Sequence, residues 1–267
     1  MSDFPFRLAV FDLDGTLLGP DKEISPANVV AVQRLRDVGC QVVLASGRPY
    51  FNVLRFHQQL GLETPIVGGN GALVKVPRSG EVWLQRLLAR ELACELLEIG
   101  AARELTQVWD CPAGVFAWEQ TIFSEILAER TKSPVPAIGD PRLRFSEAPF
   151  KILWIADEHT IAALEQEMRR RFGEKTYITI TDPEYLEFSD PRVNTAAALA
   201  VIAEHEGITQ EAIVFFGDGD NDAELLRWAG LGIAMPHSRP MALAAADRIG
   251  PEAAPEDAVA AAVATLF

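Results

Sequence analysis

Short apolar segments alternate with helical patterns at both ends of this sequence, and that alternation limits the fold more than any other feature. Helical patterns follow the apolar segments, and the first begins at Ser25-Pro26 and ends at Gly39. Strands that alternate with helices predict βαβ units and a parallel sheet. Continuous apolar strands, such as Val42-Val43-Leu44, indicate a sheet that is covered on both faces. The segments typical of buried strands are 7–11, 41–45, 66–67, 213–216 and 231–234.

The alternation is interrupted between Ala72 and Phe188, where hairpin-like segments and helices are mixed. Helices are predicted at 90–101 and 160–172, and the proline-rich stretch 133–141 predicts an irregular connection. This mixture indicates an α+β domain inserted into the first one, after which helical patterns return at 195–206 and 220–229. The strands predicted in the inserted section are Gln107–Trp109, Val115–Trp118, Ile152–Ala156, Tyr177–Thr181 and Leu186–Phe188.

Length and charge exclude several classes of protein. A chain of 267 residues can form one large domain or two modest ones. The formal net charge of −14 disfavours binding to a nucleic-acid backbone or to an anionic membrane surface. The three cysteines, Cys40, Cys94 and Cys111, form no CxxC pair and predict free thiols. No membrane span and no signal peptide are predicted, so a cytoplasmic location is expected.

Carboxylates cluster in the turns that follow the predicted strands. Asp12 and Asp14 follow the first strand, Ser46 and Arg48 follow the second, and Asp218 to Asp222 follow the strand at 213–216. The carboxyl ends of parallel strands meet at one edge of a sheet, where ligands bind. The sequence therefore predicts that these three turns converge.

Carboxylates gathered in one cleft repel each other, and a divalent cation resolves that repulsion. Oxygen ligands with no His or Cys among them select a hard ion, and Mg²⁺ is the usual one when phosphate is a co-ligand. The Arg48 guanidinium, the Ser46 hydroxyl and the backbone of the glycine turns would bind an anion. Together these groups predict phosphoryl-transfer chemistry.

Other interpretations of the same residues are weaker. An EF-hand calcium loop requires Gly at its sixth position, where this chain has Leu17 or Ala223. A dinucleotide fingerprint is excluded because Asp222 stands at the position of its third Gly. Asp220 is interpreted as a helix cap, and Lys151, which precedes an apolar strand, as a solvated side chain. Of the four histidines, His237 is predicted to lie closest to the site.

The motifs resemble those of the haloacid dehalogenase superfamily of phosphohydrolases, in its Cof-type branch (subfamily IIB). The segment 11–17, Phe-Asp-Leu-Asp-Gly-Thr-Leu, matches the first family motif, and 45–49, Ala-Ser-Gly-Arg-Pro, matches the second. The fourth motif is matched by 217–222, Gly-Asp-Gly-Asp-Asn-Asp, and 70–72, Asn-Gly-Ala, matches a further signature. The resemblance covers nearly the whole chain.

The resemblance implies a role for each matching residue. Asp12 would be the nucleophile that forms an aspartyl-phosphate, and Asp14 the general acid and base. Mg²⁺ would be held by Asp12, the carbonyl of Asp14 and Asp218, with Asp222 in support. The implied contacts with phosphate or substrate are Leu13, Ser46, Gly47, Arg48 and Asn221.

The chain also departs from the family pattern. The third family motif supplies a Lys at the start of the helix after the insertion, and the corresponding residue here is Thr195. Arg192 is a hypothetical substitute for that Lys and is included among the predicted phosphate or substrate contacts. The segment 235–238, Met-Pro-His-Ser, replaces the usual Met-Gly-Asn-Ala, which predicts a different substrate rim.

The sequence thus predicts an α/β protein with a doubly wound, Rossmann-like parallel-sheet core and an inserted α+β cap domain of the C2B type. The core comprises residues 1–77 and 189–267, and the cap, residues 78–188, would close over the site and set specificity. The predicted function is Mg²⁺-dependent hydrolysis of a small phosphomonoester, such as a sugar phosphate, through an aspartyl-phosphate intermediate.

Three other functions remain open at this point. A phosphomutase of the same superfamily shares these motifs. A catalytically weak phospho-ligand binding protein is motivated by Thr195. A redox or nucleotide-cofactor enzyme is the third, although its glycine fingerprint is missing.

Overall fold

The computed structural model describes residues 4–267 and divides them into two compact units. The first unit runs to Leu84 and resumes over Asn194–Phe267. The second unit is Gln85–Val193.

The strands and helices of the described chain are as follows. The strands are β1 (Leu8–Phe11), β2 (Gln41–Ala45), β3 (Ile66–Gly68), β4 (Leu73–Lys75), β5 (Val82–Gln85), β6 (Thr106–Cys111), β7 (Gly114–Ala117), β8 (Lys151–Ile155), β9 (Tyr177–Ile180), β10 (Tyr185–Ser189), β11 (Ile213–Gly217), β12 (Leu231–Ala234) and β13 (Arg248–Ile249). The helices are α1 (Pro26–Asp37), α2 (Tyr50–Gln59), α3 (Arg90–Ala102), α4 (Ile122–Thr131), α5 (Glu158–Phe172), α6 (Thr195–Glu206), α7 (Ala223–Trp228), α8 (Pro240–Ala245) and α9 (Ala258–Ala264).

The sheet of the first unit has the order β13-β12-β11-β1-β2-β3-β4-β5. Strand β1 is parallel to both of its neighbours, β2 and β11. The predicted parallel sheet is therefore confirmed at its centre. At one edge β4 runs antiparallel to β3, which makes the sheet mixed there. The short turn Gly69–Gly71 joins these two strands and is too short for a crossover helix.

Both faces of this sheet are buried. Leu8 and Val10 point to one face of β1 and pack in a cluster with α6, α7 and α8. Ala9 and Phe11 point to the other face and are equally inaccessible. The sheet is therefore covered on both sides, as the continuous apolar strands predict.

Capping residues fix the helices of the first unit where the sequence places them. The Ser25 side chain accepts a hydrogen bond from the backbone of Asn28 at the start of α1, and Pro26 occupies the first turn. Asn194 caps α6 in the same way by accepting from Ala197, and Gly207 ends that helix at φ 59°. Helix α6 therefore begins at Thr195, as predicted.

The second unit contains an antiparallel sheet of order β7-β6-β8-β10-β9, with α3 and α5 packed on one face and α4 on the other. Every strand predicted in this section is confirmed, and so are helices α3 and α5. Helix α4 is not predicted from the sequence. A capping box between Thr121 and Ser124 marks the start of this helix. The helix lacks a regular apolar face, because Ile122 is exposed.

Two further expectations from the sequence concern the cysteines and membrane-spanning helices. Cys40, Cys94 and Cys111 are free thiols, as predicted. Within residues 4–267, no helix combines the length and the apolar character that crossing a lipid bilayer requires.

Candidate active site

Three turns of the first unit meet at the carboxyl edge of the sheet. Phe11, the last residue of β1, pairs with Leu44 of β2 on one side and with Phe216 of β11 on the other. The turns that follow these strands carry Asp12, Ser46 and Asp218, so the register of the sheet brings them together. The predicted convergence is confirmed.

Asp12, Asp218 and Asp222 form the acidic cluster. One carboxylate oxygen from each of them lies within 4.8 Å of the other two. Asp12 and Asp222 are each only 6% exposed, and Asp218 is half-buried. The Asp14 side chain is not part of this group. In the part of the chain that the structure describes, this is the one group of His, Cys, Asp and Glu side chains arranged to hold a metal ion.

Burial and mutual repulsion raise the pKa of each acid in this cluster. The pKa of Asp12 is well above its ordinary value, first because of burial and then because of the charges of Asp222, Asp218 and Asp14. Burial raises the pKa of Asp222 to about 7, against the opposing effect of its hydrogen bond from Gly219. Burial likewise raises the pKa of Asp218. The cluster therefore requires either protons or a cation.

Backbone geometry fixes the positions of these acids. The Asp222 carboxylate accepts hydrogen bonds from the backbone N–H groups of Asp218 (3.0 Å) and Gly219 (2.9 Å) and so shapes the turn that carries Asp218. Gly15 has a φ of 80°, and a Cβ atom there would lie 2.3 Å from an oxygen of Asp218. Only glycine therefore allows the two turns to approach this closely. The Thr16 hydroxyl donates to Asp218 at 3.0 Å.

The Asp14 carboxylate is held by two cations. The Arg48 guanidinium donates from Nη2 to Oδ1 (2.7 Å) and from Nε to Oδ2, and the Lys22 ammonium donates to Oδ1 (2.8 Å). Burial acts to raise the pKa of Asp14, but the hydrogen bonds and charges of Arg48 and Lys22 outweigh it and lower that pKa. Asp14 is thus kept as a carboxylate while its neighbours in the cluster are driven towards the acid form.

Lys22 is a site residue that the sequence does not predict. It lies in the turn after the first motif and adopts a φ of 64°, a left-handed conformation that is uncommon for any residue other than glycine. The signal available in the sequence is its place eight residues after Asp14 in a turn rich in Gly, Pro and Asp.

The second motif forms a tight turn beside this pair. The Ser46 side chain is buried and its hydroxyl accepts a hydrogen bond from the backbone of Arg48 (3.2 Å). A Cβ atom on Gly47 would lie 2.8 Å from Oδ1 of Asn70, which explains the glycine at this position. The Leu13 side chain is fully buried, so only its backbone is available to a ligand. Arg48 itself is 8% exposed.

The departures from the family pattern lie on two segments of the first unit. His237, which the sequence predicts near the site, places Nε2 2.7 Å from the carbonyl oxygen of Gly15. Its charge and that of Arg239 act to lower the pKa of Asp218.

Asn221 is exposed and its amide faces Asp222 at 3.5 Å. Thr195 is the first residue of α6, the position at which the family carries its Lys.

Arg192 lies in the second unit. Its guanidinium forms a bidentate pair with Asp190, with Nε 2.8 Å from Oδ1 and Nη2 2.9 Å from Oδ2. The Arg192 side chain is mostly exposed. Its role as a substitute for the family Lys stays a hypothesis.

The acidic cluster fits a magnesium ion. Three carboxylate oxygens that lie within 4.8 Å of one another, with no nitrogen or sulfur donor among them, are a donor set for a hard cation. A divalent ion would also remove the repulsion that raises the pKa values of Asp12 and Asp222.

Comparison with known proteins gives consistent results. A family model described as haloacid dehalogenase-like hydrolase matches residues 9–263. An HMP-PP phosphatase of Cronobacter sakazakii is 30% identical over 251 residues, which is 89% of this chain and 87% of that protein. A 5-amino-6-(5-phospho-D-ribitylamino)uracil phosphatase of Bacillus subtilis is 30% identical over 246 residues, or 88% of each chain.

A solved structure agrees with this likeness. The crystal structure of a haloacid dehalogenase-like hydrolase from Bacteroides thetaiotaomicron superposes with a TM-score of 0.91 at 28% identity. The match covers 98% of this chain and 100% of the other.

Proposed function

Because the chain belongs to the haloacid dehalogenase-like hydrolases, in the Cof-type branch, and is therefore a phosphatase, we propose that it hydrolyses a small phosphomonoester with Mg²⁺ through an aspartyl-phosphate. The observation that carries this proposal is the buried cluster of Asp12, Asp218 and Asp222. The two curated relatives are named as phosphatases of small phosphorylated metabolites, which supports a substrate of that class here.

In the proposed reaction Asp12 acts first. An oxygen of its carboxylate attacks phosphorus, the bond from phosphorus to the leaving oxygen breaks, and the phosphoryl group is carried on Asp12. Asp14 is the proposed proton donor to the leaving oxygen, a role for which it must first take up a proton against the effect of Arg48 and Lys22 on its pKa. When bound, Mg²⁺ offsets the negative charges of the carboxylates and of the phosphoryl oxygens. Asp12, the backbone carbonyl of Asp14, Asp218 and Asp222 would hold it.

The second step releases phosphate. Asp14, now a carboxylate, takes a proton from a water molecule whose oxygen attacks phosphorus, and the bond to Asp12 breaks. The pairing of Asp14 with Arg48 and Lys22 favours the carboxylate form that this step needs. Ser46, the backbone of Leu13 and Gly47, and Asn221 are the proposed contacts of the phosphoryl group.

The domain division is part of the proposal. We propose that the first unit carries out phosphoryl transfer and that the second unit acts as the cap that sets specificity. We also propose a cytoplasmic location, where small phosphorylated metabolites are found.

The experiment is the turnover of p-nitrophenyl phosphate with and without Mg²⁺. We expect steady turnover that needs Mg²⁺ and that falls by roughly 10⁴-fold or more in Asp12→Asn, since that substitution removes the nucleophile. Asp110→Asn, a buried carboxylate of the second unit, is the matched control. Equal turnover in wild type and Asp12→Asn would reject the mechanism.

Thr195 favours one alternative, a phospho-ligand binding protein with weak catalysis. The missing Lys would remove a cation that stabilises the transition state, at a cost of about 3–4 kcal/mol. Tight binding of phosphate esters without turnover would support this alternative. We propose Arg192 as the substitute, and unchanged turnover in Arg192→Ala would reject that role.

A further inference from the structure

The cations beside Asp14 carry more positive charge than that carboxylate balances. Lys22 donates to Asp14 at 2.8 Å, and Arg48 approaches both oxygens of the same carboxylate. Two positive charges therefore face a single negative one. The pair is a concentration of positive charge beside the acidic cluster of Asp12, Asp218 and Asp222, in a chain whose formal net charge is −14.

Arg48 also has an unused hydrogen-bond donor. Its side chain is 8% exposed, and its Nη1 atom is buried without a hydrogen-bond partner. A guanidinium presents its five N–H donors in a fixed plane, and a buried donor without a partner is costly. Asp14 engages Nε and Nη2, so Nη1 is the guanidinium nitrogen that has no hydrogen-bond partner.

The backbone around Lys22 is fixed rather than loose. Its N–H donates to the carbonyl of Gly19 (2.9 Å), and its own carbonyl accepts from Nη2 of Arg55 (3.2 Å). The left-handed conformation of Lys22 is thus held by hydrogen bonds on both sides, and such conformations concentrate at functional sites. Arg55, whose Nη1 also lies 3.7 Å from Oε1 of Glu23, is a third cation beside Lys22.

We propose that Lys22 and Arg48 form a second anion subsite, so that the preferred substrate carries a second phosphate or carboxylate besides the phosphoryl group that is transferred. This inference rests on the proposed function, in which the transferred group binds at Asp12. The Asp14 carboxylate shows the kind of group that the pair accepts, a planar arrangement of anionic oxygens.

Three substrates of equal chain length test the proposal: propyl phosphate, 3-(phosphonooxy)propanoate and propane-1,3-diol bisphosphate. We expect the wild-type kcat/KM for one or both doubly anionic esters to exceed that for propyl phosphate by about tenfold or more. The better of the two identifies the second group as phosphate or carboxylate.

Variants of Lys22 assign that preference to the subsite. In Lys22→Met, the kcat/KM for the preferred doubly anionic ester falls to within about threefold of that for propyl phosphate. Lys22→Arg keeps the charge and retains the wild-type preference for the doubly anionic ester. Lys175→Met is the matched control, because Lys175 is an exposed lysine of the second unit, and it keeps the wild-type ratio. No preference in the wild type, or a preference that survives Lys22→Met, overturns the proposal.

A binding measurement separates this inference from the proposed function. In Asp12→Asn with excess Mg²⁺, calorimetry compares the Kd of the bisphosphate with that of propyl phosphate. A tighter Kd for the bisphosphate that depends on Lys22 supports the subsite even if p-nitrophenyl phosphate is not hydrolysed. Equal Kd values for the bisphosphate and propyl phosphate contradict the subsite, even if the wild type hydrolyses p-nitrophenyl phosphate.

Discussion

Each of the two units buries a group of carboxylates, and these two groups balance their charge differently. In the first unit, the charges that shift the pKa of Asp12 are all carboxylates. In the second unit, Asp110 and Glu187 share a Lys. The Lys151 ammonium lies 2.9 Å from Oε1 of Glu187, and its charge also acts on Asp110.

The strand register of the second unit explains this arrangement. Asp110 of β6 pairs with Lys151 of β8, which in turn pairs with Ser189 of β10. Lys151 is 12% exposed and Glu187 is 9% exposed, so the expectation that Lys151 is solvated is wrong. Burial acts to lower the pKa of Lys151, but the charges of Glu187 and Asp110 outweigh it and raise that pKa.

The comparison shows how to interpret a buried acidic group. A group that contains its own cation is close to neutral and needs no ion from solution. A group of three carboxylates without one is stable only with protons or a metal, which makes it a candidate for catalysis. The free energy of unfolding should therefore fall when the cation of the second group, Lys151, is removed. It should rise when one carboxylate of the first group, Asp12, is neutralised.

The largest effect is expected when Lys151 is removed. Lys151→Met leaves Asp110 and Glu187 buried together without the cation that faces them, and should lower the free energy of unfolding by about 3–5 kcal/mol. Chemical denaturation of wild type and variant measures this, and Lys175→Met serves as the control. A change of less than about 1 kcal/mol would show that the two groups do not differ as described.

The pH dependence of stability tests the same group without removing its cation. Burial raises the pKa of Asp110 to about 7 from an ordinary value of 3.8, against the opposing charge of Lys151. Between these two pH values the folded protein binds a proton that the unfolded chain has lost. Stability contributed by this group is therefore present at low pH and is lost as the pH rises from about 4 towards about 7, by up to about 4 kcal/mol.

Asp110→Asn should flatten that profile, because the amide resembles the protonated acid and does not titrate. Denaturation midpoints from pH 4.5 to pH 8 measure the profile. If the wild type and the variant lose stability in parallel over this range, other titrating groups cause the pH dependence and its assignment to Asp110 is wrong.

The first group should show the opposite sign. Without metal, Asp12→Asn removes one of three carboxylates that repel each other and should raise the free energy of unfolding by about 1–2 kcal/mol. With Mg²⁺ present, the stability difference in favour of Asp12→Asn should shrink or reverse, because only the wild type retains all three carboxylate ligands and is stabilised by the bound ion. Denaturation with and without Mg²⁺ measures both values, and a loss of stability in the metal-free variant would contradict the account.

Much of the fold follows from local sequence signals. Ser25 and Pro26 mark the start of α1, and the apolar strands β1, β2 and β11 predict the centre of the sheet. The order of those strands in a parallel sheet then predicts that Asp12, Asp218 and Asp222 meet, which the structure confirms. Motifs at strand ends are predictable because the sheet itself fixes their position.

The missed features depend on contacts between residues that are distant in the sequence, or on unusual local geometry. Asp110, Lys151 and Glu187 come together only through the register of β6, β8 and β10. Lys22 contacts Asp14 from a turn in which its backbone adopts a left-handed conformation. Neither the register nor that conformation leaves a periodic pattern in the sequence.

The central claim is that Asp12, Asp218 and Asp222 bind one divalent cation. Titration calorimetry of MgCl₂ into metal-free protein tests it, with Asp218→Asn as the variant and Asp110→Asn as the matched control. The account predicts one Mg²⁺ per chain in the wild type and in Asp110→Asn, and binding weaker by about tenfold or more in Asp218→Asn. Absence of binding in the wild type, or equal binding in Asp218→Asn, would contradict it.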